Sequence, residues 1–266
     1  MDKTPAAMTY GGYLSLDQLL SAQHPVSNHH DEMLFIIIHQ AKELWLKQII
    51  HELKLSRDMI RQDRLIEVHK SLSRVSRIQE VMTLSWDVLA TMTPSDYVSF
   101  RGVLGSSSGF QSAQFREVEY RLGLKDDSFL KFHDEDSAPH AALLRALNEP
   151  GLWDEAIAAA ARAGFSLPAE VLERDWSRPY CPSEAVEAVW AQVYREPERH
   201  WALYQLAEKL VDIDDALAGW RHKHVVTVER IIGLKRGTGG TAGVAYLQST
   251  LGKRAFPELW SLRTKI

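Results

Sequence analysis

The longest regular pattern in the chain is a repeat of mostly apolar positions between Leu203 and Ile231. The repeat advances by three and four residues, which is the period of an α-helix that buries one face. Its positions are Leu203, Leu206, Leu210, Ile213, Leu217, Trp220, His224, Val228 and Ile231. A helix this long with one buried face needs other long helices against which to pack. The pattern therefore favours an all-α fold.

Two earlier stretches show the same period and supply those partners. One begins at Asp31, and the other spans Leu65 to Leu89. No segment shows a convincing period-two alternation bounded by hairpin turns, so we expect no sheet. We predict one domain over residues 1–266, a helical bundle of long antiparallel helices. It carries an N-terminal arm at residues 1–20 and a smaller helical excursion at about residues 125–182.

Local signals place the ends of several helices. Thr93 can cap a helix that starts at Pro94, and Asp96 can return the hydrogen bond to the cap. Gly123 and Gly233 each follow an apolar helical segment, and glycine is the residue that most often ends a helix. These positions predict where three of the helices begin or end.

The remaining segments carry weaker signals. Residues 14–20 fit a short helix, and residues 140–175 fit two weaker helices separated by glycine and proline. Residues 125–137 are acidic, and we predict a solvated connection there. The last long helix is predicted to begin after Pro197.

Composition limits the class of protein. The 266 residues carry a net charge of −4, without the basic surface that nucleic-acid binding needs. Cys181 is the only cysteine, so an internal disulfide and a covalently attached haem are both excluded. The N-terminus is too polar for a signal peptide, and the apolar run from Met33 to Ile38 is too short to span a bilayer. We expect a cytoplasmic protein with no nucleic-acid or membrane partner.

Two histidines lie on the apolar faces of different long helices. His39 follows Phe35 by four residues, and His224 interrupts the apolar repeat of the last long helix. Taken singly, each is better explained as a core histidine that bonds to a carbonyl, because buried polar groups are usually hydrogen-bonded. As a pair, they also fit a cofactor site with one proximal and one distal histidine.

Two further features suit a small polar ligand. Arg101 shares a helix face with Tyr97 and Leu104, where it could hold a carboxylate through two parallel bonds or simply extend to solvent. The glycine-rich segment from Gly237 to Gly243 lacks the order of either phosphate-binding glycine motif. It could act as a lid with Thr238 at its tip, or it could be a connector that needs positive φ angles.

Five blocks, in the same order, resemble the tryptophan 2,3-dioxygenase family, and the similarity covers nearly the whole chain. It is weakest between about Lys125 and Ser183. The blocks are TYGGYL from Thr9, HHDEMLFIIIHQAKELWLKQIIHEL from His29, SDYVSFRGVLGSSSGFQSAQFR from Ser95, WRHKHVVTVERIIGLKRGTGGTAG from Trp220 and FPELWSLRT from Phe256.

The resemblance implies a reaction and a cofactor. It implies one haem b per subunit, with His224 as the axial ligand of the iron. His39 would lie on the distal side and accept the indole N–H bond, as an orienting group more than an obligatory base. The implied reaction inserts both atoms of O₂ across the indole C2–C3 bond of L-tryptophan. The product is N-formyl-L-kynurenine, in the first step of tryptophan degradation by the kynurenine pathway.

The resemblance also implies a substrate pocket and an assembly. Arg101 and Tyr97 would hold the substrate carboxylate, and Thr238 would touch the ammonium and carboxylate groups. The walls of the indole pocket would be Phe35, Leu104, Ser108 and Gly109. The arm residues Tyr10, Tyr13 and Leu14 would complete the site of a neighbouring subunit, which implies a homotetramer built as a dimer of dimers.

One departure from the family and two alternatives remain open. The glycine segment reads GTGGTAG where the family often has GTGGSSG, so Thr241 and Ala242 alter a hydroxyl pattern next to Thr238. A helical haem protein could oxidise another indole or only bind O₂, although a free indole offers Arg101 no carboxylate. A haem-free helical interaction protein would be colourless when purified.

Overall fold

A computed structural model of the chain describes residues 8–240 and 242–266, and within them it contains helices and no strand. This confirms the all-α prediction. The helices are α1 (Tyr10–Leu14), α2 (Leu16–Leu20), α3 (His30–Arg61), α4 (His69–Leu89), α5 (Pro94–Arg101), α6 (Ala113–Leu122), α7 (Ala138–Asn148), α8 (Leu152–Arg162), α9 (Ala169–Leu172), α10 (Glu184–Arg195), α11 (Trp201–Ile232), α12 (Val244–Ser249) and α13 (Pro257–Ser261). No helix in these described ranges is long and apolar enough to cross a membrane.

Three long helices form the centre of the bundle. Helix α4 packs against both α3 and α11, and the short connection from α3 to α4 makes these two neighbours antiparallel. The predicted apolar faces meet in the core, where Leu53, Val75 and Leu210 are each at most 1% exposed. Burial of one such side chain contributes roughly 1.5–3 kcal/mol, so these three faces hold the bundle together.

The predicted helix ends are present. The Thr93 amide donates to Asp96 over 2.8 Å, and the Asp96 amide donates to the Thr93 hydroxyl over 3.3 Å, which forms the expected capping box. Gly123 ends α6 with a φ of 114°, and Gly233 ends α11 with a φ of 61°. Only glycine adopts such backbone angles without steric cost.

The prediction of a solvated connection at residues 125–137 is wrong in part. Residues Asp127–Phe132 form a 3₁₀ helix. Phe129 is buried, and the Arg116 guanidinium lies 3.8 Å from the centre of its ring. The acidic residues face solvent while the aromatic residue packs inward, so charge content alone gave the wrong environment for this segment.

The arm and the region before α11 also differ from the prediction. The short helix expected at residues 14–20 is present as α2, and an additional short helix, α1, precedes it and is separated from it at Ser15 by a positive φ of 52°. Residues 1–7 of the arm lie outside the described residues. Helix α10 was not predicted, although Trp190 and Val193 on it are completely buried.

The C-terminal segment is attached to the bundle through a buried carboxylate. Glu258 on α13 is 1% exposed. It accepts hydrogen bonds from the Trp153 indole over 3.2 Å, from the Ser183 amide over 2.8 Å and from the Tyr180 hydroxyl. These donors connect α13 to α8 and to the segment before α10.

A second carboxylate joins the same segment to α11. Asp214 accepts from the Ala255 amide over 3.1 Å and from the Trp260 indole over 2.9 Å. Buried carboxylates are tolerated when donors satisfy their oxygens, and both of these meet that condition.

Candidate active site

A cavity of about 620 Å³ lies between α3, α4 and α11, and the segments after α5 and α11 border it. We call it the central cavity. Eight of the residues selected from the sequence line it: Phe35, His39, Tyr97, Leu104, Ser108, Gly109, His224 and Thr238. Its size and mostly apolar walls are typical of small-molecule and cofactor sites. The long helices therefore bring together residues that are almost two hundred positions apart.

His39 faces the central cavity from α3 as a neutral ring. Its Nδ1 lies 2.7 Å from the backbone oxygen of Phe35, one turn earlier in the helix. Burial lowers the pKa of His39 to about 4, because the charged form loses its hydration. With the proton on Nδ1 donated to Phe35, Nε2 keeps a free lone pair. The geometry therefore makes Nε2 a hydrogen-bond acceptor.

His224 faces the same cavity from α11. Its ring stacks on Trp86 of α4, with the ring centres 4.3 Å apart and the planes 11° from parallel. Trp220, one turn earlier, lies 5.2 Å away. Burial lowers the pKa of His224 to about 3. A neutral imidazole whose plane is fixed by aromatic neighbours is suited to bind an iron atom.

Four buried donors on the cavity wall have no hydrogen-bond partner among the described residues. They are Lys42 Nζ, Trp86 Nε1, Arg116 Nε and Trp220 Nε1. An unpaired buried donor costs about 1–3 kcal/mol, so such groups are rare unless a ligand satisfies them. All four atoms donate and none accepts. The residues present therefore fit a flat, largely apolar group that carries carboxylates, as haem does.

The charged wall of the cavity centres on Glu119. One of its oxygens accepts from Arg221 Nη2 over 2.8 Å, and the other accepts from Arg116 Nη1 over 2.5 Å. All three side chains are buried. Two guanidinium groups share one carboxylate, so this wall carries excess positive charge towards the cavity.

Arg101 does not line the central cavity. Its guanidinium donates to the backbone oxygen of Arg236, the residue before the glycine-rich segment. Thr238 makes the second contact of this kind, because its hydroxyl donates to the backbone oxygen of Ser107 over 2.6 Å. Arg101 therefore fastens the residue before the glycine-rich segment to the end of α5, and Thr238 fastens the segment itself to the loop that follows α5.

The glycine-rich segment is held closely against that loop. A Cβ atom on Gly239 would lie 2.7 Å from the Cβ atom of Ser108, closer than real side chains approach. Gly243 has a φ of 62°, and a Cβ there would meet the backbone oxygen of Lys235. These contacts explain why glycine is required at both positions, and they leave both alternatives open, a lid or a connector. Thr241 lies outside the described residues.

The arm residues do not reach the central cavity of their own chain. Tyr10 and Tyr13 are 77% and 71% exposed, and Leu14 is also exposed. Three apolar side chains on one short segment are thus left in solvent, where no contact within the described chain covers them.

Sequence reasoning missed several residues of the site. Trp86 and Trp220 were assigned only to the core, and Lys42 and Arg116 were not considered. A signal was available for Lys42, since a lysine three residues after His39 falls on the same buried helix face. No sequence signal predicts that the indole N–H groups of Trp86 and Trp220 lack acceptors among the described residues, because this depends on how three helices pack.

Comparison with known proteins agrees with this geometry. The sequence model of the family described as tryptophan 2,3-dioxygenase matches residues 1–193 and 183–266. A tryptophan 2,3-dioxygenase of Caulobacter vibrioides is 64% identical over 259 residues, which cover 97% of this chain and 98% of the relative. Proteins of the same name from Bacillus thuringiensis subsp. konkukian and Ralstonia pickettii are 54% and 53% identical, and the alignments cover 93% and 94% of their lengths. The chain belongs to the tryptophan 2,3-dioxygenase family.

Proposed function

We propose that the central cavity is where this protein binds haem and L-tryptophan, with His224 as the axial iron ligand and His39 as the group that orients the indole. Its family membership makes it a haem-dependent dioxygenase that adds both atoms of O₂ across the indole C2–C3 bond, giving N-formyl-L-kynurenine. One observation carries the residue assignment. Two neutral histidines on different helices face one cavity whose wall holds four buried donors without partners.

His224 is placed to hold the cofactor. When bound, haem supplies the dioxygen chemistry, and the protein supplies orientation and a dry pocket. The stack on Trp86 fixes the plane of the His224 ring, so its lone pair points in one direction. The indole N–H groups of Trp86 and Trp220 and the Arg116 guanidinium are available for the haem carboxylates.

His39 orients the substrate through Nε2. The bond from Nδ1 to Phe35 leaves Nε2 unprotonated, and an indole N–H is a donor that an imidazole nitrogen can accept. The ring of Phe35 lies 4.2 Å from the ring of His39 and 5.9 Å from that of Tyr97. These aromatic walls, together with Leu104, Ser108 and Gly109, are suited to hold a flat indole and to exclude water.

Arg101 and Thr238 bind the amino-acid end of the substrate. In the structure both side chains donate to backbone oxygens. A carboxylate is a stronger acceptor for a guanidinium than a neutral carbonyl. The substrate carboxylate can therefore replace the backbone oxygen of Arg236 as the acceptor for Arg101. Tyr97 lies one turn before Arg101 on α5, and the positive charge of Arg101 partly offsets the rise in the pKa of Tyr97 that burial causes.

The exposed arm supports a proposal about assembly. Tyr10, Tyr13 and Leu14 are apolar groups left in solvent, and monomeric proteins rarely leave such clusters uncovered. We infer that they complete the site of a neighbouring subunit in a homotetramer, a dimer of dimers. We also infer that residues 1–266 act as one domain and that the protein works in the bacterial cytoplasm.

The test is a turnover assay on protein loaded with haem and reduced. L-tryptophan is added under air, and N-formyl-L-kynurenine is followed by its near-ultraviolet absorbance. Tryptamine and free indole serve as controls, because both lack the carboxylate. Product from L-tryptophan alone supports the assignment and identifies the carboxylate as the selected group.

Two other outcomes separate the alternatives. Equal turnover of free indole would mean that Arg101 does not select the substrate, and a different indole would then be the natural one. A purified protein that takes up no haem would leave His39 and His224 as core histidines, as expected of a haem-free interaction protein.

A further inference from the structure

Lys42 is a buried cation that no contact of the described chain explains. It lies on α3, one turn after His39, and is 6% exposed. Its side-chain nitrogen has no hydrogen-bond partner among the described residues and lies 2.8 Å from the ring centre of Trp86. The Trp86 ring is the one that stacks on His224. Lys42 therefore extends from the helix of the distal histidine to the tryptophan beside the proximal one.

The carboxylates that line the central cavity are already engaged elsewhere. Glu119 divides its two oxygens between Arg116 and Arg221. The neighbour of Lys42, Glu43, accepts from the Ser112 hydroxyl over 2.6 Å and from the Gln114 amide over 2.7 Å. A counter-ion for Lys42 is thus missing from the wall of the cavity.

The electrostatic cost of this arrangement is large. Burial lowers the pKa of Lys42 to about 6, because the ammonium has lost water without gaining an anion. The aromatic face of Trp86 offers a cation–π contact, which is worth much less than full hydration. An anion brought into the cavity by a ligand would reverse this cost.

We propose that Lys42 is the counter-ion of a haem carboxylate, and that its charge lies close enough to the Trp86–His224 stack to raise the reduction potential of the iron. The proposal rests on haem binding in the central cavity, as proposed above. Arg116 and Arg221 each have Glu119 as a counter-ion, whereas no carboxylate among the described residues forms an ion pair with Lys42, so the ammonium of Lys42 gains most from an anionic ligand. A nearby positive charge favours the ferrous over the ferric state, because it opposes the extra charge of the oxidised iron.

The test replaces Lys42 with a neutral side chain of similar length, Lys42→Met. Lys47→Met is the matched control, since Lys47 is an exposed lysine on the same helix. Each apoprotein is titrated with haem and with haem dimethyl ester, in which both carboxylates are masked. The reduction potential of each haem complex is measured by spectroelectrochemical titration, and the unfolding midpoint of each apoprotein is measured as well.

We expect Lys42→Met to weaken haem binding by about tenfold to a hundredfold, the range for a lost charge-assisted bond. It should bind the ester as well as the original protein does, because that ligand offers no carboxylate. The potential should fall, and the apoprotein should unfold at a higher temperature because a buried amine that loses its proton on folding is gone. Lys42→Arg, which keeps the charge, should retain haem binding.

Three results would overturn the proposal. Equal losses of haem and ester binding in Lys42→Met would mean that the side chain only packs against the cofactor. Haem affinity and potential that match those of Lys47→Met would mean that Lys42 does not sense the haem. If the unsubstituted protein bound no haem, the proposed function would fail as well, and this outcome is separate because it needs no variant.

Discussion

Buried polar groups have hydrogen-bond partners in one region of this molecule, and in another region several have none among the described residues. Around α13, the carboxylates of Glu258 and Asp214 accept hydrogen bonds from backbone amides, from two indoles and from a tyrosine hydroxyl. In the central cavity, four donors lack acceptors and two histidines are held neutral by burial. Both regions are covered by helices, so burial alone does not distinguish them.

The difference supports the proposal that the region around α13 is completed by folding and that the central cavity is completed by a ligand. A satisfied buried network stabilises the fold by itself, whereas an unpaired buried donor costs about 1–3 kcal/mol. Conflicts between local chemistry and burial are expected at functional sites, where a bound group later removes them. The comparison predicts that changes around Glu258 reduce stability and that changes in the cavity reduce ligand binding.

The largest expected effect is the loss of haem when His224 is replaced with alanine. The side chain faces the cavity, so the helix should remain folded while the iron loses its protein ligand. We expect haem content to fall from one per chain towards none, measured by absorbance after gel filtration. His222→Ala is the control, because His222 is exposed on the same helix. A His224→Ala protein with normal haem content and ligation would contradict the ligand assignment.

Substrate binding should be the next most sensitive property. Arg101→Ala removes the group that we propose holds the substrate carboxylate, and the loss of such a contact typically costs about 2–5 kcal/mol. Haem content should be unchanged because Arg101 does not line the central cavity. The measurement is L-tryptophan affinity by titration of the haem spectrum, with the exposed Arg77→Ala as the control. Unchanged affinity in Arg101→Ala would show that another group binds the carboxylate.

The opposite pattern is expected at Glu258. Glu258→Gln keeps the size of the side chain but places an amide among three donors, so at least one donor loses its acceptor. We expect the free energy of unfolding to fall by about 1.5–3 kcal/mol in a denaturant titration. Haem affinity should not change. A variant that lost haem and kept its stability would reverse the assignment of the two regions.

The sequence predicts the long helices well because their apolar faces repeat over many turns. The faces of α3, α4 and α11 and the capping box at Thr93 follow from local rules. Helix α10 and the 3₁₀ helix at Asp127–Phe132 were missed. In these short segments, one or two aromatic residues decide the structure by packing on distant parts of the chain.

The site is less predictable than the fold for a related reason. Periodicity places His39 and His224 on buried faces, but it leaves open whether each is a core residue or a ligand. The observation that favours the ligand alternative is that neighbouring donors such as Trp86 have no partner among the described residues, and this observation exists only after three helices pack. Family resemblance named Arg101 and Thr238, and it gave no reason to expect Lys42 in the central cavity.

The contact between the glycine-rich segment and Ser108 provides a further test, which asks whether this segment shapes the substrate pocket. Gly239→Ala would place a Cβ atom 2.7 Å from Ser108, so the segment must move away from the loop that follows α5. We expect the KM for L-tryptophan to rise by an amount equivalent to about 1–3 kcal/mol, the usual cost of overpacking. Gly252→Ala is the control, since nothing lies within 4 Å of its added atom. An unchanged KM would mean that the contact at Ser108 does not shape the substrate pocket.

The effect that is smallest per unit of change is the pH dependence of the haem-free protein. The pKa of His39 is about 4 in the folded state and has its ordinary value of 6.5 in the unfolded chain. Between these values the unfolded chain binds more protons than the folded chain does. The free energy of unfolding therefore rises with pH across this window, and that stability is lost as the pH falls from 6.5 towards 4. The contribution of one histidine to this slope is at most about 1.4 kcal/mol per pH unit.

His224 adds to the same slope, since its pKa is also lowered, to about 3, so the contribution of His39 is isolated by comparing variants. His39→Gln should give a shallower dependence of the unfolding midpoint on pH between 6.5 and 4 than the unsubstituted apoprotein. His222→Gln, on the exposed face of α11, is the control for the substitution itself. If His39→Gln kept the full slope, His39 would not be held neutral by burial. The argument that Nε2 is free to accept the indole N–H would then lose its physical basis.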